Sequence, residues 1–168
     1  MSPLILLPGN GSHNRTWIES IQTGIGGTVH YYKHWLVEGS EIDFPYEARM
    51  LAEHANGQTI TVFAKSAGCL VAMKAVREFG MQIEKAVFVG TPVKWGIAKW
   101  IPVTEWIREW SVPTLFIQKE QDHVISAQEL SVLIGARHPL ITLPGKDHDY
   151  LELVQDPSQV KRFVEGTH

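Results

Sequence analysis

Three things are scarce in this sequence of 168 residues: cysteine, positive charge and long apolar runs. The single cysteine excludes an internal disulfide and any cysteine-based metal cluster. A formal net charge of −3 at pH 7 argues against nucleic-acid binding, which normally needs a basic face. The first apolar run, Leu4–Leu7, is far too short for a signal peptide or a membrane span. We therefore expect a cytoplasmic protein without a membrane span or a nucleic-acid partner.

Repeats, low-complexity segments and linker-like stretches are also missing, so we expect one domain over residues 1–168. A hydrophobic content of 44% with 20% charged residues is typical of a soluble globular protein. Nothing in the sequence indicates an oligomeric state.

Short apolar runs alternate with helical patterns along the chain. The predicted strands are Leu4–Leu7, Thr28–Tyr32, Thr59–Ala64, Lys85–Gly90, Thr114–Gln118 and Leu140–Leu143. The predicted helices are Asn14–Thr23, Tyr46–His54, Ala67–Phe79, Val103–Glu109, Ala127–Leu133 and Asp149–Val164. Strands without polar alternation indicate a sheet covered on both faces, and their alternation with helices indicates parallel pairing. The sequence predicts an α/β fold, a three-layer α/β/α sandwich with a mostly parallel sheet of about six strands.

Ser66 lies at the turn between a predicted strand and a predicted helix, with small residues around it. Ala64 stands two positions before it and Gly68 two positions after it. This is the layout of a nucleophile elbow, in which strand and helix backbones nearly touch and the serine hydroxyl projects above the sheet. A helix N-cap is the alternative role for a serine in this position.

Two further strand ends carry polar residues that can meet Ser66. Gln118–His123 follows the fifth predicted strand, and Pro144–Tyr150 follows the sixth. In a parallel sheet the carboxyl ends of the strands share one edge, where functional residues collect. The chain order is serine, acid, histidine, which is the order of one of the serine-hydrolase folds.

The motifs at these strand ends resemble those of the α/β hydrolases, in particular small serine hydrolases without a large cap. Leu4–Gly11 is similar to the strand and oxyanion loop of that family, and its Pro-Gly-Asn-Gly form resembles the retinoblastoma-binding-protein-9-like hydrolases. Phe116–Asp122 is similar to the acid-bearing loop, and Gly145–His148 to the histidine loop. The resemblance spans nearly the whole chain, without the first two strands of larger members. Pro8-Gly9 stands where His-Gly is more usual.

The resemblance implies a catalytic triad of Ser66, His148 and Asp122. His148 is the base that takes the serine proton, and Asp122 fixes its tautomer and stabilises the imidazolium. The backbone N–H groups of Asn10 and Ala67 are the expected oxyanion hole. Such a site needs no cofactor and acts on a small-molecule acyl substrate.

The acid is the least determined member of the triad. Glu120 lies in the same loop as Asp122, and Asp147 and Asp149 flank His148. Immediate neighbours of the histidine are expected to point away from it, and Glu120 is expected at the strand end, so we favour Asp122. The spacing of these carboxylates and histidines matches no helical metal-binding motif, and we expect no metal.

Substrate-binding candidates surround this site. Gly9 and Gly11 belong to the oxyanion loop, Lys65 precedes the serine, and His123 follows the acid at the expected rim. Lys65 can line the site or point to solvent.

A segment rich in tryptophan, residues 91–110, lies where larger hydrolases insert a cap. Trp106 and Trp110 are four residues apart, so both can face the core from one helix. Trp95 and Trp100 are expected to anchor loops and roof an apolar acyl pocket as a reduced lid.

The sequence therefore predicts a serine hydrolase that cleaves a small ester, with a thioester or an amide as other substrates. Two alternatives stay open. The chain can be a hydrolase-fold binding protein with little turnover, or an acyltransferase or peptidase that uses the same triad.

Overall fold

A computed structural model describes residues 1–167 and contains, within that range, a single sheet of six strands. The strands are β1 (Leu4–Leu7), β2 (Thr28–Val29), β3 (Ile60–Lys65), β4 (Ile83–Val89), β5 (Thr114–Lys119) and β6 (Leu140–Leu143). Their order across the sheet is β2-β1-β3-β4-β5-β6, and every neighbouring pair is parallel. The predicted parallel sheet is confirmed.

Helices cover both faces of the sheet. They are α1 (Asn14–Ile25), α2 (Phe44–Ala55), α3 (Ala67–Phe79), α4 (Val93–Ala98), α5 (Val103–Glu109), α6 (Ala127–Ile134), α7 (Leu151–Gln155) and α8 (Ser158–Glu165). One buried apolar cluster joins the sheet to α2, α3, α5 and α6, and a second joins it to α1, α7 and α8. The molecule is therefore the three-layer α/β/α sandwich that the sequence predicts.

The central strands are apolar because both of their faces are covered. All residues of β3 and of β5 are buried. Trp106 and Trp110 of the α5 region are buried as expected, and Trp110 Nε1 donates to Thr114 Oγ1 at 2.8 Å. Since the strands are parallel, the loops after β1, β3, β5 and β6 open on the same edge of the sheet.

The elements differ from the sequence predictions at the C-terminal helix, at α4 and in β2, which is shorter than the predicted strand Thr28–Tyr32. The helix predicted at Asp149–Val164 is two helices, α7 and α8, because Asp156 before Pro157 takes an extended conformation with φ of −140°. A residue before proline is sterically kept from the helical region, so the chain must break there. The short helix α4 was not predicted, since Pro92 and Gly96 weaken the helical signal of its sequence.

None of the helices described in residues 1–167 combines the length and the apolar character that crossing a bilayer requires.

Candidate active site

Ser66 occupies a strained turn between β3 and α3. Its backbone has φ of 50° and ψ of −118°, a region that non-glycine residues rarely adopt. Gly68 lies directly against β1, because a Cβ on it would come within 2.6 Å of the Leu7 carbonyl oxygen. The predicted need for a small residue at that position is confirmed. The N-cap alternative is wrong, since among the described residues the Ser66 side chain caps no N–H of α3.

Side chains from three strand ends form a continuous hydrogen-bond relay. Ser66 Oγ lies 2.8 Å from His148 Nε2, and His148 Nδ1 lies 2.7 Å from Asp122 Oδ2. A carboxylate only accepts, so Nδ1 donates to Asp122 and the Nε2 lone pair is left to accept the serine O–H. The structure thus brings together the serine, the histidine and the favoured acid that the sequence singles out.

Asp122 is held by donors from separate parts of the chain. Besides His148, the Val124 backbone N–H donates to Oδ1 at 3.0 Å and the Tyr150 hydroxyl donates to Oδ2 at 2.8 Å. Burial opposes ionisation of Asp122, but the hydrogen bond and charge of His148, with the bonds from Val124 and Tyr150, lower its pKa below the usual value. The acid is therefore a fixed carboxylate.

Tyr150 and Gly90 contact the relay through Asp122 and His148. Neither residue was predicted from the sequence. The Tyr150 hydroxyl accepts a 2.9 Å bond from the Lys119 backbone N–H while it donates to Asp122. Burial and the Asp122 charge raise the pKa of Tyr150, which keeps it a donor. A Cβ on Gly90 would come within 2.8 Å of both His148 Cε1 and Tyr150 Cε2. A glycine at the end of a strand was the one available signal.

The other acids near the histidine have different partners. Asp147 forms two hydrogen bonds with the Lys119 ammonium, at 2.7 and 2.8 Å, and Glu152 contacts the same ammonium at 3.0 Å. The Lys119 bond lowers the pKa of Asp147 to about 2. Glu120 is exposed, and Asp149 lies on the wall of the cleft beside His148.

The loop after β1 is tied down through its carbonyl groups. The Tyr32 hydroxyl donates to the Pro8 carbonyl at 2.6 Å, and His34 Nε2 and Trp35 Nε1 both donate to the Asn10 carbonyl, at 2.7 and 2.8 Å. Tyr32 leaves the predicted strand Thr28–Tyr32 to reach this loop, so β2 ends at Val29. These aromatic anchors hold the Asn10 backbone at the wall of the cleft that contains Ser66.

The two other glycines predicted to bind substrate flank Asn10. Gly9 and Gly11 both line the cleft. A Cβ on Gly9 would come within 2.8 Å of the Asn14 side chain, so the loop packs closely on the start of α1. Ala67, the other predicted oxyanion donor, is the first residue of α3 and is fully buried beside Ser66.

A cleft of about 320 Å³ opens above the relay. Its walls are formed by residues 9–11, 13–14, 65–66, 95, 123–124 and 148–149. His123 is exposed at the rim, with its ring edge-on to His148 at a centroid distance of 5.6 Å. Trp95 lines the cleft and packs edge-on against Phe44 at 5.9 Å. Lys65 is buried and lines the cleft, so of its two predicted orientations the one toward the site holds.

The prediction that Trp100 roofs this cleft is wrong. Trp100 is 95% exposed and borders a separate depression with Trp106 and Arg77. The reason is local: the chain reverses after α4, where Trp100 takes a left-handed φ of 65° and Ile101 N–H donates back to the Gly96 carbonyl. That turn points the Trp100 ring outward.

Comparison with known proteins gives matches at the level of structure. No protein-family model and no curated protein matches the chain. Est1E from Butyrivibrio proteoclasticus, solved with bound ferulic acid, superposes with a TM-score of 0.72 at 17% identity, over 98% of this chain and 89% of the other. Naproxen esterase (carboxylesterase NP) from Bacillus subtilis gives 0.69 at 12% identity, over 98% and 82%.

An α/β serine hydrolase without a lid from Xanthomonas campestris gives a TM-score of 0.64 at 13% identity, over 98% of this chain and 81% of the other. These likenesses extend over almost all of the chain. The chain has the α/β-hydrolase fold.

Proposed function

We propose that this protein is a serine hydrolase that cleaves small carboxylic esters through an acyl-enzyme. The observation that carries the proposal is the relay from Ser66 through His148 to Asp122, with contacts of 2.8 and 2.7 Å. A serine hydroxyl is a weak nucleophile until a positioned base accepts its proton, and His148 Nε2 is within reach to do so.

In the first half of the reaction Ser66 Oγ attacks the ester carbonyl carbon as its proton moves to His148 Nε2. The negative charge that develops on the carbonyl oxygen meets the backbone N–H groups of Asn10 and Ala67. Asp122 stabilises the imidazolium through its 2.7 Å bond to Nδ1. The C–O bond then breaks, the alcohol leaves with the proton from Nε2, and the acyl group stays on Ser66.

In the second half water takes the place of the alcohol. His148 removes a proton from water as the water oxygen attacks the acyl carbon, and it returns that proton to Ser66 Oγ as the ester bond to the serine breaks. The products are the free acid and the regenerated serine. The cleft of about 320 Å³ has the volume of a small-molecule site.

Two structural neighbours support an ester as the substrate. One is called naproxen esterase, and Est1E was solved with ferulic acid. Their identity to this chain is 12–17%, so the likeness is one of fold, and cleavage of an ester is tested directly with p-nitrophenyl butyrate.

A fluorophosphonate probe tests the nucleophile directly. Wild type should gain one covalent adduct on Ser66, and Ser66→Ala should gain none. Ser111→Ala is the matched control, because Ser111 is an exposed serine between α5 and β5 and should label like wild type. The same three proteins should then be compared on p-nitrophenyl butyrate.

A folded wild-type protein that takes no label, and whose ester hydrolysis equals that of Ser66→Ala, would overturn the proposal. That result would favour the alternative of a hydrolase-fold binding protein.

A further inference from the structure

A second cavity of about 310 Å³ adjoins the cleft. Lys65, Asn14, His13 and Asp149 line both spaces, so they form the wall between them. The rest of the second cavity is mostly apolar and is bounded by α1 and α7, through residues 16, 17, 20, 151 and 154. The mechanism proposed above uses neither this cavity nor the lysine in its wall.

The Lys65 ammonium is buried without a carboxylate from the described part of the chain to pair its charge. The residue is 5% exposed, and Nζ donates to Asn14 Oδ1 at 2.8 Å and lies 4.7 Å from the centre of the Trp17 ring. Within residues 1–167 no carboxylate oxygen lies within 4.0 Å of this ammonium. Lys119, the other buried lysine at this edge, contacts both Asp147 and Glu152. An ammonium has three N–H donors, so Asn14 satisfies only part of its capacity.

Burial works against the charge of Lys65. It lowers the pKa of the ammonium to about 8, while the nearby carboxylates of Asp149, Asp122 and Asp147 oppose that shift. The group is still mainly charged at neutral pH, and a buried charge is unfavourable unless it is paired. An anion that entered the cavity would supply the missing partner.

We propose that the second cavity holds the part of the substrate that bears a carboxylate, and that Lys65 Nζ binds this carboxylate. Such recognition rests on the proposed hydrolase function and narrows it to esters with an acidic end, such as the half-esters of dicarboxylic acids. The apolar lining from Trp17, Leu151 and Val154 suits the hydrocarbon chain between the ester and the acid.

Binding without turnover tests the subsite on its own. Ser66→Ala protein is titrated by calorimetry with hexanoate and with hexanamide, which differ in charge but hardly in size. Because hydrogen bonds to charged groups are the strong ones, hexanoate should bind at least about tenfold more tightly. Adding Lys65→Met should remove the preference, whereas Lys146→Met, at an exposed lysine of the histidine loop, should keep it.

A second variant keeps the test informative if Lys65→Met does not fold. Asn14→Asp places a carboxylate oxygen 2.8 Å from Nζ, so the ammonium is paired internally and the preference for hexanoate should fall. The same substitution removes the bond from Asn14 Nδ2 to the Gly11 carbonyl at 3.0 Å, so the folding of this variant is checked by its urea unfolding. Asp149→Asn removes a negative charge from the same wall and should raise the preference. Equal binding of hexanoate and hexanamide, or a preference that survives in both Lys65→Met and Asn14→Asp, would overturn the inference.

Turnover separates this inference from the proposed function. Wild type should hydrolyse the p-nitrophenyl half-ester of adipic acid with a kcat/KM at least about tenfold above that for p-nitrophenyl hexanoate. Equal kcat/KM values for the two esters, with equal binding of hexanoate and hexanamide, would contradict the carboxylate subsite while the hydrolase function still holds. If neither ester is hydrolysed but hexanoate binds in a way that depends on Lys65, the hydrolase function is contradicted and the carboxylate site is supported.

Discussion

Gly90 gives the sharpest test of how the backbone positions His148. Gly90→Ala places a Cβ at 2.8 Å from His148 Cε1 and 2.8 Å from Tyr150 Cε2, where ordinary contact begins at 3.4 Å. The imidazole must therefore move by about 0.6 Å. A misplacement of 1 Å costs roughly 10²-fold in rate, so we expect kcat to fall about tenfold.

Stability should fall as well, and by two separable amounts. Alanine at φ of 61° costs about 1–2 kcal/mol because of its left-handed conformation. The clash with His148 and Tyr150 adds about 1–3 kcal/mol, the usual range for overpacking. Gly80→Ala isolates the first amount, because Gly80 has φ of 65° and open space around its Cβ position.

Urea unfolding and p-nitrophenyl butyrate kinetics measure the two effects on the same samples. Gly80→Ala should lose only the conformational part of the unfolding free energy and keep the wild-type kcat. Gly90→Ala should lose more stability and the tenfold in kcat. If Gly90→Ala matched Gly80→Ala in both measurements, the packing of His148 against the backbone of residue 90 would not control its position.

The remaining predictions concern the acids. Asp122→Asn should lower kcat by ~10³–10⁴-fold with little change in KM, because the imidazole loses its orienting carboxylate, whereas Glu120→Gln should stay near wild type; a large loss in Glu120→Gln would contradict the assignment. Asp147, with a pKa near 2 instead of 3.8, stabilises the fold above its unfolded pKa and loses that contribution as the pH falls from about 4 to about 2. Asp147→Asn should therefore flatten the pH dependence of the unfolding free energy in that window, and a slope equal to wild type would count against the Lys119 pair.

Pattern alone was enough for the sheet and for the residues at its strand ends. Apolar runs without alternation predict parallel strands, and parallel strands put three polar segments, those that contain residues 66, 122 and 148, at one edge. The resemblance to the α/β hydrolases then implied which residues of these segments form the triad. Of the four candidate acids, Glu120, Asp122, Asp147 and Asp149, Asp122 is the one that bonds to His148 Nδ1. The sequence favoured it over Asp147 and Asp149 because residues next to each other in the chain usually point in different directions.

What the sequence could not supply depends on contacts across the sheet. Tyr150 acts through a loop that follows a different strand, and its position two residues after His148 says nothing about its burial. The prediction that Trp100 roofs the cleft is wrong for a local reason. Trp100 has a left-handed φ of 65°, which is unusual for a residue other than glycine and which the sequence around it does not indicate. The direction of the Lys65 side chain depends on α1, which places Asn14 and Trp17 around its ammonium group, and the residues next to Lys65 in the sequence carry no sign of this contact.

The buried Tyr150 hydroxyl has a consequence for the timing of synthesis. It ties the loop after β5 to the segment that follows β6, so the carboxylate at position 122 is locked only when residue 150 has packed. The strained turn at Ser66 lies between β3 and α3 in the first half of the chain, whereas His148 and Tyr150 follow the last strand. A chain that folds from its N-terminus on the ribosome therefore completes the contacts among Ser66, His148 and Asp122 only after the last strand has joined the sheet.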